Sequence, residues 1–245
     1  MSGVEVEAPP AVPERSPWTW TDIVLSVPLG LVLATAVGLA LLGPTYPLLR
    51  HLDPGLRMAL TNVMSQAALY AGAVAAVVGL VRLRRHASLG DLGWTAVPAR
   101  WLMSALPLAL GAYLLVIVAG GVGHALFPHA QNGQPTAVRG AFGHYLLLAV
   151  LAVSVVAPFA EETYFRGFVF GWLRGRTPLW LAVVVSSLLF ALAHAELALL
   201  LPTFTLGCLL ALVYHRSGSL YPGMVIHAVF NLVGVTLILT TSSPR

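Results

Sequence analysis

Residues 157–167 read APFAEETYFRG and decide the fold, because a long apolar run ends here at two adjacent carboxylates. The chain has only nine acidic residues among 245, and Glu161 and Glu162 stand side by side, with Arg166 close behind them. A carboxylate at hydrocarbon depth costs about 3 kcal/mol or more. An ionisable group in such a position is a candidate functional group with a partner to be identified.

The composition is that of a membrane protein. The chain is 58% hydrophobic and 9% charged, and its mean hydropathy is +0.86, whereas an average soluble domain has about 25% charged residues. No linker is long enough to separate two folded domains. We therefore expect one integrated membrane domain.

The net charge of +4 comes from arginine alone, since the chain contains no lysine. The small basic excess lies in loops, which fits the positive-inside rule better than a nucleic-acid surface. The single cysteine, Cys208, stands in an apolar run and excludes a disulfide framework. We expect no nucleic-acid partner and no soluble cofactor.

Apolar runs predict an all-α polytopic bundle, because about 20 such residues cross a hydrocarbon core of about 30 Å. The predicted spans are residues 23–42, 58–81, 101–127, 141–160, 178–194, 197–214 and 222–241. The fourth run stays apolar to Leu173, which would make a straight helix of roughly 50 Å. Either Pro158 breaks it or its end projects into the interface, and two crossings there would raise the count from seven to eight.

The chain divides into three parts on this interpretation. Residues 1–21 are a disordered tail, residues 22–140 supply three spans, and residues 141–241 carry the groups capable of chemistry.

Arginine positions predict a cytoplasmic N-terminus, and the lysine-free composition and compact length indicate a bacterial plasma membrane. With seven spans, the cytoplasmic set is Arg15, Arg82, Arg84, Arg85, Arg100, Arg166, Arg174, Arg176 and Arg216. The outer set is Arg50, Arg57, Arg139 and Arg245. This orientation puts the 157–167 stretch near the cytoplasmic face.

The glutamate pair has two different expected partners. Glu162 and Arg166 share one helix face at i, i+4 and can form an ion pair, whereas Glu161 points about 100° away. Glu161 is then the carboxylate that can act as a base near neutral pH. The alternative is an interfacial salt bridge with one spare glutamate.

Two later helices carry histidines among apolar residues. His194 ends one of them, where a histidine is more often a helix cap than a catalyst. His227 and Asn231 share a face of the last span and can converge on one small ligand, or can form hydrogen bonds between helices.

Together these groups satisfy the needs of amide hydrolysis. A carboxylate deprotonates water, an imidazole holds that water or protonates the leaving amine, and Asn or His donates to the oxyanion. Glu161, His194 and His227 could equally bind Zn²⁺ with an open water position. The sequence does not choose between the zinc and the metal-independent mechanism.

The order Glu-Glu-x-x-x-Arg at 161–166, Phe-x-x-x-His at 190–194 and His-x-x-x-Asn at 227–231 resembles the CPBP intramembrane proteases, the family of the CAAX prenyl endopeptidases. The resemblance implies that Glu161 is the water-activating base, with His194 helping to hold the water. It further implies that Glu162 and Arg166 support the site, and that His227 and Asn231 stabilise the oxyanion.

We therefore expect an endopeptidase that acts in contact with membrane lipid on a membrane-associated peptide or protein. One alternative is a proton-coupled transporter in which Glu161, Glu162 and the histidines relay protons. Another is a noncatalytic bacteriocin-immunity or scaffold protein that uses the same polar groups to hold its helices together.

Overall fold

The computed structural model describes residues 16–241, and all regular elements in that range are helical. The helices are α1 Trp20–Leu49, α2 Pro54–Arg84, α3 Ala99–Leu126, α4 Gln134–Phe142, α5 Leu146–Arg174, α6 Leu179–Ala193, α7 Leu197–Ser217 and α8 Leu220–Thr240. Six of these are long and apolar enough to cross a membrane, and α6 is a shorter apolar helix. The predicted all-α, multi-pass membrane bundle is confirmed.

The fourth predicted span differs most from the structure. It begins at Leu146 rather than at residue 141, because Gly143 takes a φ of 55° and ends α4 there. Helix α4 occupies much of the predicted 128–140 loop, and the predicted boundary between residues 140 and 141 falls inside it. The chain between α3 and α5 is therefore a short helix rather than a loop.

Pro158 does not break α5, and the run does not fold into two crossings. The turns before it, Val150–Val156, are π-helical, and so are those after it, Glu162–Phe170. A proline interrupts the hydrogen-bond ladder of an α-helix, and wider turns are one way in which a helix accommodates such a break. Helix α5 thus crosses as one irregular helix with the glutamate pair near its middle.

The N-terminal segment is ordered where the structure describes it. The Trp18 side chain is fully buried, its Nε1 donates to the Phe168 carbonyl at 2.9 Å, and its ring stacks on that of Phe168. Thr19 and Asp22 form a capping box that starts α1 at Trp20. The prediction of a disordered tail was wrong for residues 16–21, because tertiary burial of an indole is invisible in local composition. Residues 1–15 of that tail lie outside the described residues.

Helices α1 and α2 pack closely at small residues. A Cβ atom on Gly72 would lie 2.3 Å from the Ala34 amide nitrogen and 2.6 Å from the Gly30 carbonyl oxygen. Such close approach between helix backbones is typical of membrane bundles. At one end of the pair the buried Asp22 carboxylate contacts Arg84 at 3.3 Å and Arg85 at 2.6 Å.

The bundle has an arginine-rich end and an opposite end. The arginine-rich end carries Arg82, Arg84, Arg85, Arg100, Arg174, Arg176 and Arg216. The opposite end carries α4, which contains Arg139, and also Arg50 and Arg57 near the junction of α1 and α2. Arg166 belongs to neither set, because it is 2% exposed in the interior of the bundle. Counting it as a marker of the cytoplasmic face was therefore wrong.

We expect Gly72→Ala to destabilise the α1–α2 contact by about 1–3 kcal/mol, since the atoms that the new methyl group meets are backbone atoms. The control is Gly79→Ala in the same helix, where a Cβ meets nothing within 4 Å. Unfolding in mixed micelles measures both. Equal stability of the two variants would contradict this packing.

Candidate functional site

Glu162 lies in the interior of the bundle with Arg166 as its partner. Its side chain is 1% exposed, and Oε1 is 2.9 Å from Arg166 Nη1. The guanidinium of Arg166 also lies 4.3 Å above the centre of the Phe190 ring and donates to the Gly207 carbonyl at 3.4 Å. The i, i+4 spacing that predicted the ion pair thus corresponds to a buried contact that joins α5, α6 and α7.

His227 on α8 lies between the two carboxylates. Its Nδ1 is 3.1 Å from Glu162 Oε1, and its Nε2 is 3.6 Å from Glu161 Oε2. A carboxylate accepts, so Nδ1 carries a proton. Arg166 offers a positive charge to Glu162 in this cluster. The pairing matters here, because uncompensated charge is costly in the interior.

The sequence did not reveal the partner of Glu161, which is Tyr70. The Tyr70 hydroxyl on α2 donates to Glu161 Oε1 at 2.6 Å, across 91 residues of chain. One signal was available, since Asn62, Gln66 and Tyr70 follow one another at i, i+4 and i+8 on one face of α2. Asn62 on that face donates to the Ala141 carbonyl of α4 at 3.2 Å. The first half of the chain thus supplies part of the site.

His194 follows the last residue of α6 and contacts its own helix. Its Nδ1 is 2.9 Å from the Phe190 carbonyl oxygen, which can only accept. This bond fixes the proton on Nδ1 and leaves Nε2 as the nitrogen with a lone pair. The expected helix-capping contact is therefore present, and one ring nitrogen is still available for chemistry.

Asn231 connects α8 to α5. Its Nδ2 donates to the Val153 carbonyl at 2.8 Å, so the predicted hydrogen bond between helices is present. One bond uses one of the two protons on that nitrogen. His227 and Asn231 lie one turn apart on α8, but His227 contacts the carboxylates while Asn231 contacts the backbone of α5.

Two adjoining cavities connect these side chains. The larger has a volume of about 480 Å³ and has Tyr70, Glu161, His194 and Asn231 among its lining residues. The smaller has a volume of about 180 Å³ and is lined in part by His194, His227 and Asn231. The structure therefore brings all four predicted site residues to the walls of two cavities, and His194 and Asn231 line both of them.

The predicted zinc ligands do not assemble into a metal site in this structure. Within residues 16–241, no three His, Cys, Asp or Glu side chains are grouped closely enough to hold a metal ion. Glu161 and His227 approach each other, but His194 does not complete a ligand set with them. A catalytic zinc site needs about three protein ligands around one point, and the residues present do not fit that arrangement.

Residues 143–233 match the family described as type II CAAX prenyl endopeptidase Rce1-like. This region contains all three motifs of the predicted site. The match confirms the resemblance to the CPBP intramembrane proteases for that part of the chain.

Three curated bacterial proteins are similar to the chain. "Putative membrane peptidase YdiL" of Bacillus subtilis is 27% identical over 46% of this chain and 47% of its own length. An "Uncharacterized 24.3 kDa protein" of Escherichia coli is 29% identical over 60% of this chain and 66% of its own length. "UPF0177 protein YxdF" of Lactococcus lactis is 30% identical over 34% of this chain and 45% of its own length.

The chain thus spans between about half and two thirds of the length of the curated relatives that it matches. No solved structure matches it significantly.

We expect Arg166→Met to destabilise the protein by about 3–5 kcal/mol, because Glu162 would lose its closest positive charge in the interior. The double variant Glu162→Gln/Arg166→Met removes both charges and should recover part of that loss. Unfolding of the single and double variants in mixed micelles gives the coupling energy. Strictly additive effects would show that the two charges do not depend on each other.

Proposed function

We propose, on the premise that residues 143–233 belong to the Rce1-like family of type II CAAX prenyl endopeptidases, that this chain is an intramembrane endopeptidase. The substrate is a peptide bond of a membrane-associated protein, and water activated by Glu161 hydrolyses it. The proposal rests chiefly on the placement of the Glu161 carboxylate between Tyr70 and His227, on the wall of a cavity shared with His194 and Asn231.

The first step is attack of water on the peptide carbonyl. Glu161 removes a proton as the water oxygen bonds to the carbonyl carbon, which is general base catalysis. The Tyr70 hydroxyl holds Oε1 of this carboxylate, and the His227 ring lies against Oε2. The Tyr70 hydrogen bond keeps the base in position, which reduces the entropy that the transition state must lose.

The oxyanion formed in that step needs a hydrogen-bond donor. Asn231 has a second Nδ2 proton beside its bond to Val153, and we assign this donor to the oxyanion. The resemblance gave His227 the same role. Since both ring nitrogens of His227 face carboxylates, we assign it instead to positioning Glu161.

Collapse of the tetrahedral intermediate requires a proton on the leaving amine. His194 Nε2 carries the lone pair in the neutral ring, so it can accept a hydrogen bond from the attacking water. Glu161 holds the proton taken from that water and returns it to the amine nitrogen. The products are a carboxylic acid and an amine, and no other reactant is consumed.

Zinc binding by Glu161, His194 and His227 stays a prediction, and the arrangement of these side chains does not support it. Metal content of purified wild-type protein, compared with the His194→Ala variant, tests it directly. Equal and negligible zinc in both would favour the glutamate mechanism.

Glu161→Gln should lower kcat for peptide cleavage by about 10²–10⁴-fold, because the amide cannot accept the proton. The matched control is Glu196→Gln, which changes a glutamate that is not among the residues lining either cavity. Activity is measured with internally quenched peptide libraries on protein in proteoliposomes. A wild-type protein that cleaves none of these peptides, or full activity of Glu161→Gln, would contradict the proposal.

Tyr70→Phe should lower kcat by about tenfold to a hundredfold with little change in KM, since it removes a hydrogen bond to a charged group. Tyr46→Phe on the exposed surface of α1 is the control. A change in KM alone would mean that Tyr70 contacts substrate rather than Glu161. Loss of folded protein without loss of specific activity would make Tyr70 only structural.

A further inference from the structure

The residues that line the two cavities lie mostly on segments at one end of the bundle or extending from that end. Gln134 and Val138 of α4 line both cavities, and Gln66 and Leu69 from the half of α2 that begins at this end line the larger one. The smaller cavity is bounded by Leu199 and Pro202 at the start of α7 and by Val235 and Ile238 near the end of α8. All of these segments lie at the end that carries α4 or extend from it toward the middle.

The arginine-rich end is closed by a packed core. Between it and the glutamate pair lie fully buried aromatic and aliphatic side chains, namely Trp18, Leu92, Phe168, Phe170 and Tyr214. The packing leaves no space for an added atom at Gly167, where a Cβ would lie 2.6 Å from the Leu92 carbonyl oxygen. A peptide therefore cannot reach Glu161 from that side without disrupting the core.

Charge assigns the two ends to the two sides of the membrane. Among residues 16–241, seven arginines lie at the closed end and three at the open end, while Arg166 is interior. Arginine accumulates on the cytoplasmic side of membrane proteins. The closed end is then cytoplasmic, and the cavity opens on the other side.

We propose that the site is reached from the extracytoplasmic face and takes a peptide segment lying just outside the membrane anchor of its substrate. This inference rests on the proposed function for the chemistry, but the direction of access stands on the fold alone. It places the scissile bond on the opposite side of the membrane from a cytoplasmic C-terminal tail.

The depth of Glu161 in the bundle sets the length of the peptide segment that the substrate must supply. Glu161 stands 15 residues into α5 from its open-side start at Leu146, which is roughly 20 Å along the helix. An extended peptide needs about six residues to span that distance. The substrate must therefore supply a short unfolded stretch next to its anchor, one that can leave the interface and enter the cavity beside α4.

Thiol labelling tests the direction of access without requiring activity. In a Cys208→Ser background, single cysteines are placed at Gln134, on the walls of both cavities, at Ala193, an exposed residue that lines the larger cavity, and at Ala96, exposed at the arginine-rich end. A membrane-impermeant sulfonated maleimide is added to spheroplasts of a bacterial host and to inside-out vesicles. We expect Gln134→Cys and Ala193→Cys to react at least about tenfold faster in spheroplasts, and Ala96→Cys to do so in the vesicles.

A second experiment tests the substrate. The library peptide that the wild type cleaves fastest is inserted beside the anchor of a single-span reporter, on either the outer or the inner side. We expect cleavage of the outer reporter alone, and no cleavage of either reporter by Glu161→Gln. Faster labelling of Gln134→Cys from the cytoplasmic side, or cleavage of the inner reporter, would overturn the inference and leave the peptidase intact. Labelling as expected with neither reporter cleaved would contradict the peptidase and retain the direction of access.

Discussion

The site depends on a balance of charge within a low-dielectric bundle. Two carboxylates, one guanidinium and one imidazole lie within 3.6 Å of their neighbours in a chain of contacts that runs from Arg166 through Glu162 and His227 to Glu161. The contacts of Glu162 are short, at 2.9 and 3.1 Å, and a charged group would be costly to bury alone. The consequence is that α5 and α8 cannot move apart without exposing an unpaired charge, which fixes the position of Glu161 at the cavity wall.

The two glutamates have different environments for a structural reason. Glu162 is almost fully buried and bound by two partners, whereas Glu161 is 14% exposed and lines a cavity. One carboxylate therefore stabilises the arrangement, and the other remains accessible to water. Local helix geometry separates the two side chains and pairs Glu162 with Arg166, while the packing of α2 and α8 against α5 supplies Tyr70 and His227.

Sequence reasoning succeeded where the controlling interaction is local. Hydrophobic run length predicted the spans, and i, i+4 spacing predicted the Glu162–Arg166 pair. It failed where partners come from distant segments. Tyr70 is separated from Glu161 by 91 residues, and the burial of Trp18 depends on Phe168. The interior position of Arg166 was also beyond the sequence, because only the packing of the helices buries its guanidinium. Motif order predicted the set Glu161, His194, His227 and Asn231, and their roles stay predictions; the contacts that each of them makes could not be read from the sequence.

The π-helical turns of α5 have a consequence for how this helix is aligned with others. A turn that closes on the fifth residue rather than the fourth contains one residue more than an α-turn, so it acts on the rest of the helix as a single-residue insertion would. Such turns lie both before Pro158 and from Glu162 onward. The direction in which the glutamates point around the helix axis therefore differs from the one that a regular α-helix would give them relative to the lipid-facing residues at either end. Loss of one residue between Leu146 and Pro158 would leave the outer surface before that point unchanged, yet turn the carboxylates away from His227.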